Sequence, residues 1–98
     1  MVGSDYILNF VKEFNDFEDS SIFDRKLGIL INASIGKLES EGIPNEFMPN
    51  TPQSDTYCLC IARNVAMMLN PDIDYDMQSS MYLTDVNELR TALLLNPR

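Results

Sequence analysis

From residue 20 to residue 44 apolar residues recur at helical spacing. Phe23, Leu27, Leu30, Ile31, Ser34, Ile35 and Leu38 fall three and four apart, which lines one broad face of an amphipathic helix. The ends are marked as well. Ser20 and Ser21 are both able to cap the first free amides, and Asp24 follows where a carboxylate suits the helix dipole. Gly42 can take the left-handed conformation that ends a helix, Ile43 can fold back onto Leu38, and Pro44 blocks continuation. The pattern predicts a helix of about six turns, around which the chain is expected to be organised.

A second stripe runs along the opposite side of that helix. Ile22, Ile29 and Ala33 lie there, and Gly28, Asn32 and Gly36 form a strip of small side chains between the two faces. Two explanations are open: a helix touched from both sides within one small fold, or a helix with one side on its own fold and the other on another chain.

Three further helices are predicted. Ser4 can cap a short first helix with Ile7, Phe10, Val11 and Phe14 on one face, and Asn15 to Asp19 is a polar connection. The segment from Pro44 to Pro52 is loop-like, and the apolar pair Phe47–Met48 within it either tucks back on the core or serves as a docking plug. A third helix starts at Thr51–Pro52 or Ser54–Asp55 and places Tyr57, Cys58, Ile61, Ala62, Val65, Met68 and Leu69 on its core face. Arg63 is its only charge between Thr56 and Leu69, and Leu59, Cys60, Ala66 and Met67 lie off the main face. A helix apolar nearly all round must be covered on most sides, and four helices of this size are expected to cover only part of it. Asn70–Pro71 end it, Asp72 to Asp76 form an acidic linker, and a last helix begins between Ser79 and Thr84 with Tyr82, Val86, Leu89 and Leu93 as its buried stripe. No period-two alternation persists, so strands are not expected. The expected architecture is all-α, a single domain over 1–98, a small bundle of about four helices with long loops.

Composition narrows the function. Seven basic against fifteen acidic residues give a net charge of −8, which argues against gripping nucleic acid or an anionic membrane through a basic surface. The stretch from Thr56 to Pro71 is too short and too polar to span a bilayer. Met1 to Asp5 lacks the basic start of a secretory signal, so a soluble protein made inside the cell is expected. Histidine is missing, which removes the commonest general base and metal ligand. Asp72, Asp74 and Asp76 imitate the opening of a calcium loop, yet Met77 and Leu83 stand where it needs glycine and a bidentate glutamate. Cys58 and Cys60 point about 200° apart on a helix and are better taken as buried small hydrophobes than as ligands. No phosphate loop or nucleophile motif is present. The expectation is a protein that is not an enzyme and needs no cofactor or metal.

The order of parts carries one resemblance. Leu27-x-x-Leu30-Ile31-x-Ala33 runs through Leu38 to Gly42–Ile43, and a loop follows. An apolar helix led by Asp55, an acidic linker and a closing Glu88-Leu89-Arg90-Thr91-Ala92-Leu93 complete the series. From Ser20 to Leu95 this resembles the head–tail connector, or adaptor, proteins of long-tailed bacteriophages; Cys58-Leu59-Cys60 departs from the family's pattern. The resemblance implies a viral structural protein of the virion neck, at the capsid–tail junction. Such adaptors form a ring of about twelve copies beneath the portal protein. The ring extends the DNA channel without specific binding, and the next neck or tail-completion protein assembles on it. No membrane, cofactor or catalytic residue is implied. Subunit-interface candidates are Ile22, Ile29, Ala33, Gly36, Leu59, Cys60 and Met67. Candidates for docking on partners are Phe47, Met48, Leu93, Leu94 and Leu95. The alternative is a small acidic helical regulator or DNA mimic that occupies a protein's basic groove.

Overall fold

The computed structural model describes residues 2–17, 21–45 and 52–95, and for Pro52, Gln53, Ser54 and Leu95 the backbone alone. Four helices follow one another: α1 (Ser4–Phe14), α2 (Asp24–Ser40), α3 (Pro52–Leu69) and α4 (Tyr75–Leu95). The fold is a small all-α bundle, as the periodicity predicts, with no strand among the described residues.

The hub is α3 rather than α2. It packs against α1, α2 and α4, whereas α1 and α2 touch each other over a smaller area. Tyr57, Cys58, Cys60, Ile61, Ala62 and Val65 of α3 are completely buried. Ile7 and Val11 of α1, Leu27, Ile31 and Leu38 of α2, and Tyr82, Val86 and Leu89 of α4 close over them. The expectation that one copy covers such a helix only in part is therefore corrected. Its low charge is explained by its own neighbours, and the described side chains left half-buried are Thr56, Leu59, Ala66 and Leu69.

Local chemistry sets the helix limits. Proline opens α3, where its missing amide costs nothing. Gly42 ends α2 with φ +86°, as its position before Ile43–Pro44 predicts. The start of α2 differs from expectation. Residues 21–23 form a turn in which the Asp24 amide donates to the Ser21 carbonyl at 3.2 Å, and the helix begins at Asp24 with no side-chain cap. Phe23, expected in the core, is 52% exposed and packs beside Phe17 at 5.9 Å between ring centres. Gly3, not Ser4, precedes the first turn of α1. Helix α4 starts at Tyr75, a full turn before the expected range, because Asp74 turns the chain with φ +51° and its carbonyl accepts the Gln78 amide at 2.8 Å. Met68 of α3, placed on the core face by spacing, is 44% exposed near the α3–α4 turn.

Candidate assembly surfaces

The outer side of α2 carries exposed apolar residues. Ile22 is 80% exposed and Ile29 63%, and Ala33 and Gly36 continue the exposed strip. Arg25 and Lys26 stand in the first turn of α2, both exposed, and neither is paired with another described residue. The inner side of the same helix is sealed, with Leu27 and Leu38 buried and Leu30 partly buried against the core. Ile29, Ala33 and Gly36 of α2 thus share one face, on the side away from the chain's own core, and Ile22 is exposed in the turn before it.

The three candidates on α3 behave differently. Cys60 is buried completely and Met67 almost so, which removes both from any surface a second chain could reach. Their apolar character serves the intramolecular core. Leu59 alone is half-buried and keeps some exposed area.

At the end of α4, Leu93 is half-buried against the core and Leu94 is exposed. Together with Glu41, Gly42 and Arg90 they line a shallow depression of about 300 Å³. Arg90 holds the end of α2 there, its Nε donating to the Glu41 carbonyl at 2.7 Å. The side chain of Leu95, and Phe47–Met48 as a whole, lie outside the described residues.

Further exposed apolar side chains stand at the α3–α4 corner, Met77 and Met81 on one face of α4 and Tyr75 about 200° from Met77. Ile73, Tyr75, Met77 and Met81 are all at least two-fifths exposed. In the sequence Met77 and Met81, four apart, signal this surface, and the acidic run from Asp72 to Asp76 before them resembles a linker.

The polar interior is structural in character. Arg63 is buried between helices: Nη1 donates to Gln78 Oε1 at 2.8 Å, Nε lies 3.6 Å from Asp85 Oδ2, and the guanidinium sits over the Phe14 ring. Asn45 clasps the main chain of Val2, accepting from its amide at 3.1 Å and donating to its carbonyl at 3.3 Å. Burial pushes both thiols, Cys58 and Cys60, up to about 12, so they stay protonated and unreactive at neutral pH. The Tyr57 and Tyr82 phenols are raised for the same reason, Tyr82 also by neighbouring Glu41. Among the described residues no cluster of three acidic or cysteine side chains is placed to hold a metal ion, and no helix is long and apolar enough to cross a membrane.

No protein-family model, curated protein or solved structure matches the chain.

Proposed function

We propose that this chain is a structural adaptor of a long-tailed bacteriophage, assembling with copies of itself beneath the portal and offering a platform to the next neck or tail protein. The observation that carries the proposal is the outer face of α2. Ile29, Ala33 and Gly36 expose one small apolar strip on the side of α2 away from the sealed core, with Ile22 exposed in the turn before it, and such a shared strip suits a contact with another chain. The series of helices and helix ends from Ser20 to Leu95, similar to that of the adaptor family, supplies the identity of the assembly. The charge of −8 suits this role, since carboxylates facing a channel repel DNA and let it pass.

The experiment is reconstitution with the portal protein of the same genome. Co-sedimentation of the pair, and added ring density beneath the portal by electron microscopy, are expected. A chain that never binds the portal, and instead binds a basic protein one to one, would overturn the proposal in favour of an acidic regulator.

A further inference from the structure

Two exposed surfaces of the chain are opposite in charge. At the α3–α4 corner, Ile73, Tyr75 and Met77 are 63%, 50% and 52% exposed, and exposed Asp72, Asp74 and Asp76 alternate with them. On the outer side of α2, Ile29 and Ile22 flank exposed Arg25 and Lys26. The other described cations are engaged elsewhere. Lys12 pairs with Asp24, Arg63 lies beside Asp85, Lys37 sits over the Tyr82 ring, and Arg90 donates to the Glu41 carbonyl. Among the described residues, Arg25 and Lys26 are thus the cations left for a surface contact, and they stand beside apolar side chains.

We propose that these surfaces are the two halves of one contact between copies: the α2 outer face of one protomer docks on the α3–α4 corner of the next. Isoleucine and methionine side chains meet in the middle, with Arg25 and Lys26 against Asp72 and Asp76 at the rim. The inference rests on the adaptor reading and specifies the partner surface for its α2 face. Charge selects the occupant. Pairing two acidic corners, or two basic α2 faces, sets like charges against each other, whereas pairing one with the other removes both mismatches. A contact between two different patches is heterologous, and such contacts close into rings when the rotation between copies allows it. The exposed methionines suit this role because their unbranched, polarisable side chains adapt to the facing surface.

The test is charge reversal on each side, followed by mixing. Arg25→Glu/Lys26→Glu makes both surfaces acidic, and Asp72→Lys/Asp76→Lys makes both basic. All four positions are exposed, and Asp74, which turns the chain, is left alone. Sedimentation equilibrium of the wild-type chain at low ionic strength should show association that weakens as salt is added. Each reversed variant alone should associate at least about tenfold more weakly. An equimolar mixture of the two variants should regain wild-type association, because every contact then pairs an acidic with a basic surface. Unfolding midpoints establish that each variant is folded. Met77→Gln, which moves no charge, is the second probe and should weaken association as well.

A wild-type chain that stays monomeric at every concentration and salt overturns the proposal. So does unchanged association in both variants, or a mixture that fails to recover. If the reversed variants still add ring density beneath the portal, the contact is wrong and the adaptor reading stands. If portal binding is lost and mixing does not restore it, the corner serves the portal instead of a second copy.

Discussion

The main-chain amide of Ile43 donates to the carbonyl of Leu38 at 2.9 Å, and both side chains are completely buried. Between them the Gly42 amide donates to the Glu39 carbonyl at 3.0 Å, and Gly42 stands at φ +86°. The last turn of α2 is thereby closed, and Ile43 is delivered to the core. A Cβ at Gly42 meets no neighbouring atom, so the only penalty of a side chain is the left-handed backbone itself. Gly42→Ala should lower stability by about 1 kcal/mol. Gly36→Ala, in the exposed middle of the same helix with equally open space, should raise it by up to about 1 kcal/mol. Urea midpoints of the two variants should move in opposite directions; an unchanged or raised midpoint in Gly42→Ala would remove the assignment of Gly42 as the helix terminus.

Arg63 is the one basic residue of α3, and it is spent inside the bundle. With its side chain 11% exposed and that of Asp85 19%, neither charge is well solvated. Removing one partner strands the other, so Arg63→Ala should cost about 3 kcal/mol. Arg63→Met/Asp85→Leu should be much less damaging than Arg63→Ala, because it removes both charges and keeps apolar volume beside Phe14. Thermal unfolding of the two variants makes the comparison, and equal losses would show that packing alone accounts for Arg63.

Local signals were legible in the sequence, and tertiary ones were not. Gly42-Ile43-Pro44 announces the end of α2 because each residue acts through its own backbone. The start of α2 was obscured. Two serines offered caps, but the helix begins where Asp24 pairs with Lys12 of α1, a contact between distant residues. Likewise Tyr75 to Ser80 carries no apolar stripe, since its Tyr75 and Met77 side chains face away from the core, so the first turns of α4 looked like linker. The central place of α3 was half visible. Its low charge said that it must be covered, but which helices cover it depends on packing that no periodicity contains. Hence the cover that apolar Cys60 and Met67 need comes from α3's own neighbours and not from a second chain.

The buried thiols give the chain an alkaline limit. In the unfolded chain a thiol ionises near its ordinary 9.0, whereas Cys58 and Cys60 hold their protons up to about 12 in the fold. Between those values the unfolded state binds fewer protons than the native state, so stability is fully present below pH 9 and falls as pH rises. Each thiol contributes a slope of at most about 1.4 kcal/mol per pH unit. The raised phenols of Tyr57 and Tyr82 add to the fall above their ordinary value of 10.0. Urea unfolding followed from pH 8 to about 10 should show declining midpoints in the wild-type chain and a flatter course in Cys58→Ala/Cys60→Ala. Parallel courses would mean that the thiols titrate alike in both states.

The two sides of α2 should respond oppositely to one new charge. Leu27 is 1% exposed in the core, whereas Ile29, two residues on, is 63% exposed on the outer face. The buried cations Lys12 and Arg63 already face Asp24 and Asp85, so a carboxylate at position 27 would be buried unpaired, which costs several kcal/mol. Leu27→Glu should therefore unfold the free protein. At position 29 the carboxylate stays in water, and exposed substitutions usually change stability by no more than about 0.5 kcal/mol. Ile29→Glu should keep a wild-type unfolding midpoint and helical spectrum. It should nevertheless fail to join assemblies with the portal, where the charge would displace an isoleucine from the contact between chains. The pair of measurements separates two kinds of apolar residue that share one helix and one residue type class. If Ile29→Glu unfolds as Leu27→Glu does, the outer face belongs to the fold. If it assembles normally, the α2 face is not the interface that the adaptor proposal requires.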